Sequence, residues 1–242
     1  MRNPDHKKVF ILIPCYNEEL NIAGLLSELS QVCPEYTAVV INDGSTDKTK
    51  SVVSSFKEVV LLDLPINLGV GGAVQTGLMY AEQNGAEFAV KLDGDSQHPP
   101  GQIKGMIALL MEKDCDLLIG SRFLQQEGFQ SSFSRRIGIG LLRFWARMLT
   151  NQTITDPTSG FRAYNRRAIE FMARHYPSFD YPEPEEIVLA RKNGLKLMET
   201  PVCMRERKFG ESTISSSISV YYMFKVMLAM VFLATRAPEK HK

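Results

Sequence analysis

Glu87–Pro100 reads EFAVKLDGDSQHPP, and the fold is decided by how this stretch is read. The run EFAVKL (Glu87–Leu92) has strand character and ends in Asp93 and Asp95, two carboxylates separated by one glycine. Acids at i and i+2 beyond a strand end can hold a hard divalent cation, which prefers oxygen ligands and tolerates bound phosphate. Gln97 adds a neutral oxygen that could join the ligands or order a metal-bound water. The same residues also suit an ordinary Asx-type turn ahead of Pro99 and Pro100, so the acid pair alone is a weak signal. Its neighbours decide.

Working outward, the N-terminal half alternates strand and helix signals. VFILIP (Val9–Pro14) is apolar on both faces, as a buried parallel strand must be. A helix is expected near Glu19–Val32, a strand at Ala38–Ile41, and a helix capped by Ser45 or Thr46 and running to Phe56. A strand at Glu58–Leu64 and a helix from Gly71 to Asn84, closed by Gly85, precede the Asp93 strand. A helix near Pro100–Lys113 and a strand at Cys115–Gly120 follow it. This order predicts a doubly wound, mainly parallel α/β sheet. Ligands of such sheets bind beyond the carboxyl ends of the strands. Three polar clusters fall at those ends: Pro14–Glu18, Asn42–Ser45 and Asp93–Asp95.

The second half is less regular. A helix carrying Arg136, Arg143 and Arg147 within about 40° of one another on the helical wheel is expected, weakened by Gly138 and Gly140. The loop Thr155–Gly160 precedes FRAYNRRAIEFM; YPEPEEIVLARKNG, a strand near Leu197–Val202 and the loop RERKFGEST come after.

Composition bounds the class. The 242 residues are 44% hydrophobic and 23% charged, enough for one large α/β domain or one domain with an appendage. MRNPDHKK leads straight into a strand without a signal-peptide pattern. The four cysteines lie far apart with no C-x-x-C spacing and read as reduced, which points to the cytosol. A net charge of +1 gives no basis for nucleic-acid binding, but it hides an asymmetry. Residues 1–121 carry 9 Lys+Arg against 16 Asp+Glu, whereas residues 122–175 carry 9 arginines, no lysine and 3 acids. An acidic half suits a metal site. An arginine block suits phosphate, since guanidinium forks match its oxygens, although a solvated helix face is the plainer alternative.

The ordered set PCYNEE, NDGSTD, NLGVGGAVQTG, DGDSQHPP, GSRF, DPTSGFRAY and RERKFGEST resembles the family 2 glycosyltransferases of GT-A fold. Within them it looks most similar to the dolichol- and polyprenol-phosphate sugar transferases, from about Val9 to Thr213. The resemblance implies a GT-A domain over residues 1–213 that takes a nucleotide-diphosphate sugar. Pro14, Tyr16, Asn17, Glu18 and Asp43 match nucleoside-binding positions; Asn42 stands where the family often has a first aspartate. Asn67, Gly71, Gly72 and Ala73 would let backbone amides approach the donor, though helix packing accounts for each glycine equally well. Asp93, Asp95 and Gln97 would hold Mg²⁺ or Mn²⁺ against the diphosphate. His98 reads as an outer group or a plain turn residue.

On the acceptor side, an alcohol needs a general base, whereas a phosphate monoester is already anionic near neutrality. Arg122, Arg136, Arg207 and Ser212 correspond to acceptor-phosphate positions, so the resemblance implies inverting transfer to a polyprenyl phosphate. The alternative is a saccharide hydroxyl in glycan synthesis, with Asp156 as base. Asp95, Asp156 and Arg122 are the expected catalytic set; Arg162 reads as a phosphate ligand or a buttress for Asp156.

Residues 214–242 form the expected appendage, apolar nearly all round over Ile218–Thr235 with Lys225 near its middle. A central lysine makes insertion costly. The segment is therefore expected to lie at the cytoplasmic membrane interface, or to pack on a small membrane partner or a second copy.

Overall fold

The computed structural model describes residues 8–125, 133–206 and 216–238. Seven strands form one sheet: β1 (Val9–Cys15), β2 (Thr37–Asn42), β3 (Val60–Asp63), β4 (Phe88–Lys91), β5 (Leu117–Ser121), β6 (Arg162–Asn165) and β7 (Leu197–Pro201). Their order is β3-β2-β1-β4-β6-β5-β7, parallel except for β6, which runs antiparallel between β4 and β5. The expected α/β, mainly parallel architecture is present.

Both faces of the sheet are covered. Helices α1 (Ile22–Val32), α2 (Thr49–Val53) and α4 (Ile103–Glu112) pack on the face carrying Val9, Ile11, Ile13, Val40 and Val90. Helices α3 (Gly69–Gln83), α5 (Phe133–Thr150), α6 (Arg166–His175), α7 (Glu183–Lys192) and α8 (Ser216–Thr235) cover the other, with Phe10, Leu12, Val39, Ile41 and Ala89. Successive residues of a strand therefore enter different cores, and for this reason the central strands read as unbroken apolar runs.

Two local expectations are corrected. Strand β6 lies inside FRAYNRRAI, which showed no strand signal. Only four residues long, it carries a buried arginine and ends in Asn165, whose side chain accepts from Ala168 N and caps α6. Helix α2 starts at Thr49, because the hydroxyl expected to cap it is used elsewhere: Ser45 Oγ accepts from the Asn17 backbone N–H at 2.9 Å.

Helix α8 packs on α5 and α7 and places Val226, Met230 and Leu233 in the core. Phe224, Leu228 and Phe232 stay exposed one turn apart on α8, and Leu141, Phe144 and Met148 are exposed on α5, which packs against it. Lys225 Nζ pairs with Asp180 at 2.9 Å. Among the described residues no helix is long and apolar enough to cross a membrane.

Candidate active site

Strand order reverses between β1 and β4, and a ligand crevice opens at that kind of switch point. The β1–β4 ladder runs only from Val9↔Phe88 to Leu12↔Lys91, so Pro14 lies beyond it and its missing N–H costs no sheet bond. The residues after β1 are stitched to the loop after β2. Thr46 N donates to Asn17 Oδ1 at 2.9 Å, Glu18 N to Thr49 Oγ1 at 2.9 Å, and Glu19 N to Asp47 Oδ2 at 3.1 Å. Asn17 adopts φ 56°, a left-handed conformation that asparagine tolerates. Tyr16 is 45% exposed, so its ring is available as a flat surface rather than packed in the core.

Asp43 is buried, which pushes its carboxyl up from the ordinary range, and Oδ1 accepts from Leu68 N at 2.7 Å. That bond fixes the Asn67–Gly69 turn at the head of α3. The next two glycines serve the chain itself. Gly71 N donates to Phe179 O at 2.8 Å, and a Cβ at Gly71 would sit 1.8 Å from Ser178 O. A Cβ at Gly72 would sit 2.6 Å from Leu68 Cβ. The expected approach of a donor to the Gly71 amide is therefore corrected: the 178–181 segment occupies that position.

Asp93 and Asp95 follow the carboxyl end of β4, at the β1–β4 switch point. Gly94 is obligatory between them, since a Cβ there would lie 2.5 Å from Cys15 Sγ. Burial, and then Glu18, Asp93, Asp95 and Asp47, push the Cys15 thiol far above its ordinary pKa. Four carboxylates thus converge on the end of β1, a field that favours a cation. The Asp93 side chain is 39% exposed. No group of three or more His, Cys, Asp or Glu that could cage a metal exists among the described residues. Two carboxylates fit Mg²⁺ or Mn²⁺ held partly by substrate phosphates and water. Gln97 is placed as a support: its backbone N–H donates to Asp95 Oδ1 at 3.0 Å and its amide nitrogen points to Arg205 O at 3.5 Å.

His98 is buried and stacks on Phe161 at 5.0 Å. Its Nδ1 accepts from Asp93 N at 3.0 Å, which leaves the ring proton on Nε2, and burial lowers its pKa. It is a positioning residue for the acid turn, not a surface turn residue.

The loop after α5 brings the second set. Asp156 is fully buried; Arg122, just beyond β5, forks onto it with Nε–Oδ2 and Nη2–Oδ1 both at 2.7 Å. Gly160, four residues on, abuts Asp93: a Cβ there would lie 2.9 Å from Asp93 Oδ2. One short loop therefore joins the two carboxylate centres. Arg162 proves to be the buttress. It is fully buried, pairs with Glu186 at 2.7 Å, and donates to the carbonyls of Ser159, Pro157 and Glu183.

Three partners of this loop and strand carry no signal in the sequence. Glu199 on β7 accepts from Thr155 N at 2.7 Å and Asp156 N at 2.9 Å. Glu183 meets the fully buried Lys91 Nζ at 2.5 Å. Desolvation lowers the Lys91 pKa, but Glu183 and Asp93 outweigh it and hold the ammonium charged. Glu186 has no exposed surface at all. Of the arginine stripe, Arg143 donates to Thr155 O and Arg147 is exposed. Arg136 belongs to α5, but its side chain, like Arg207 and Ser212, lies outside the described residues.

Residues 10–172 match the family model described as Glycosyl transferase family 2. An uncharacterized protein of Methanocaldococcus jannaschii is 29% identical over 93% of this chain and 91% of its own length. The UDP-N-acetylglucosamine–dolichyl-phosphate N-acetylglucosaminyltransferase of Methanococcus voltae is 26% identical over 94% of this chain and 96% of its own. Among solved structures, glucosyl-3-phosphoglycerate synthase from Mycobacterium tuberculosis, in complex with Mn²⁺, UDP and phosphoglyceric acid, superposes with a TM-score of 0.71. It is 15% identical and the match covers 97% of this chain and 81% of that one, which establishes the shared GT-A fold.

The acceptor expectation is corrected here. The tuberculosis synthase is solved in complex with phosphoglyceric acid, so the fold does not by itself bring a polyprenyl phosphate with it. In this chain Arg122, the described cation expected to hold a lipid phosphate, gives its fork to Asp156. Polyprenyl phosphate is accordingly set aside as acceptor and as partner.

Proposed function

The chain belongs to glycosyl transferase family 2, and on that premise we propose that it transfers a hexose, with inversion, from a nucleoside diphosphate sugar to an acceptor hydroxyl. The observation that carries this reading is the loop Asp156–Gly160, which sets a carboxylate able to serve as base and, four residues later, touches Asp93. Asp93 and Asp95 hold the divalent ion; the tuberculosis synthase, solved in complex with Mn²⁺ and UDP, supports this. A bound Mg²⁺ or Mn²⁺ would neutralise the charge growing on the departing diphosphate. Tyr16, Asn17, Glu18 and Asp43 line the nucleoside end of the crevice. Asp156 takes the proton of the attacking hydroxyl, a need that an already anionic acceptor would not have. A saccharide hydroxyl is the acceptor class.

Purified protein, Mg²⁺ or Mn²⁺ and a panel of UDP- and GDP-hexoses with hydroxyl acceptors should yield a new glycosidic bond to a hydroxyl oxygen, read by NMR. Asp156→Asn should lower that rate by about 10²-fold or more. Transfer to a phosphate oxygen alone, or unchanged transfer by Asp156→Asn, would sink the proposal.

For location we propose peripheral contact with the cytoplasmic face of a membrane. Support comes from the exposed Phe224, Leu228 and Phe232 of α8 and the exposed Leu141, Phe144 and Met148 of α5, two helices that pack together. Neither helix contains an acid, so an anionic surface would meet no like charge on them. The chain should co-sediment with phosphatidylglycerol-rich vesicles, and replacing the three α8 residues with serine should weaken this by roughly 10²-fold. Wild-type protein left wholly in the supernatant would refute it.

A further inference from the structure

Helix α8 reaches the nucleoside end of the crevice through one short segment, residues 178–181. The segment lies on the head of α3. Phe179 O accepts from Gly71 N at 2.8 Å and would sit 2.7 Å from a Cβ at Gly69. The turn it presses on is Asn67–Gly69, whose Leu68 N–H donates to Asp43 Oδ1 at 2.7 Å. Asp43 and the segment therefore hold the same turn.

Helix α8 holds the segment in its place. Asp180 spans the two: Oδ1 would lie 3.3 Å from a Cβ at Gly69, and Oδ2 meets Lys225 Nζ at 2.9 Å. One residue on, Tyr181 has φ 49°, a strained value for a bulky side chain that its surroundings must maintain. Its ring packs edge-on against Tyr222 of α8, with centroids 4.8 Å apart. Helix α8 is itself anchored, since Val226, Met230 and Leu233 lie in the core.

Lys225 is the only charged residue of α8, and acids surround its target. Burial pushes the Glu185 carboxyl up to about 7; Ser178 and Lys225 oppose the shift, and Glu183 and Asp180 add to it. The Lys225–Asp180 pair is nonetheless half-exposed, at 45% and 48%, so it contributes little to the stability of the fold. Its effect falls on the turn that Asp180 touches.

We propose that Lys225 is a positioning residue for the donor: from α8 it sets Asp180 and, through segment 178–181, the Asn67–Gly69 turn and Asp43 for nucleoside diphosphate binding. Helix α8 is then a strut of the donor site as well as a cover for the core. The inference rests on Asp43 lining the nucleoside end of the crevice.

Calorimetric titration of the full chain with UDP and with GDP, in the presence of Mn²⁺, tests it without any acceptor. Lys225→Met should weaken the nucleotide that binds wild type by about two- to fivefold, the range that one half-exposed pair supplies. Lys225→Arg, which keeps the charge, should bind as wild type does. Asp180→Asn should match Lys225→Met, and the double variant should be no weaker than either, because each breaks the same pair. In turnover the donor KM should rise by the same factor with kcat unchanged. The unfolding midpoints should stay within about 2 °C of wild type. Nucleotide binding by Lys225→Met equal to wild type, or an equal loss with Lys225→Arg, overturns the inference. So does a loss that comes with a midpoint lowered by more than about 5 °C, which would make the pair structural. Asp43→Asn binding UDP and GDP as wild type does overturns the nucleoside reading instead, so the two failures are distinct.

Discussion

Asp95→Asn should abolish most metal-dependent transfer, by roughly 10²-fold or more, while leaving thermal unfolding nearly unchanged. The substitution keeps the hydrogen bond that shapes the turn. Asp95 Oδ1 accepts from Gln97 N, and an asparagine oxygen in the same place accepts it equally well. The turn between Gly94, held against Cys15, and Ser96 at φ 64° should therefore survive. What is lost is one negative charge of the four that converge on the end of β1. Removing it in the metal-free protein relieves repulsion, so stability should hold or rise slightly. In the loaded enzyme the same change removes one of only two carboxylates available to the ion. Calorimetric titration of Mn²⁺ in the presence of UDP should show clearly weakened binding, in parallel with the lost rate. Metal affinity equal to wild type would rule out Asp95 as a ligand, whatever the rate does.

Much of this site was legible because its pieces sit at strand ends, where a period-2 apolar run stops at polar residues. Asp93, Asp95, Asp43 and the Tyr16–Glu18 turn are local in sequence, and the parallel topology alone brings them to one crevice. The glycines of NLGVGG were less decidable. A small residue shows that something approaches the backbone, not whether it is a ligand or the chain; here Ser178 and Phe179 do so. Strand β6 was hidden because its interior is polar: Arg162 and Tyr164 face the core with their charge and hydroxyl inside it. The carboxylates that make this tolerable, Glu183 and Glu186, come from the first turn of α7, where acids already suit the helix dipole. Their sequence pattern is that of an ordinary helix start. Only tertiary structure shows that they face inward.

That inward pairing also sets the largest stability effect. In the β4–β6 ladder Lys91 lies directly opposite Arg162, two buried cations side by side. Such a pair repels and is stable only with its counter-charges in place. Glu183 answers Lys91 at 2.5 Å and Glu186 answers Arg162 at 2.7 Å. Arg162→Met leaves Glu186 buried with Tyr176 Oη donating to it at 3.3 Å, and strips the donor from the carbonyls of Pro157, Ser159 and Glu183. Breaking one side of a buried pair costs roughly 3–5 kcal/mol, which for a chain of this size lowers the unfolding midpoint by about 10 °C. Adding Glu186→Gln should return a large part of the loss, because the stranded charge goes with it. The Pro157–Ser159 carbonyls would still lack their donor, so the double variant should regain stability before it regains activity. Scanning calorimetry of the two variants, with transfer rates measured beside it, separates these effects. A midpoint within 2–3 °C of wild type for Arg162→Met would mean that the buried pair contributes little and that the loop carrying Asp156 stands without it.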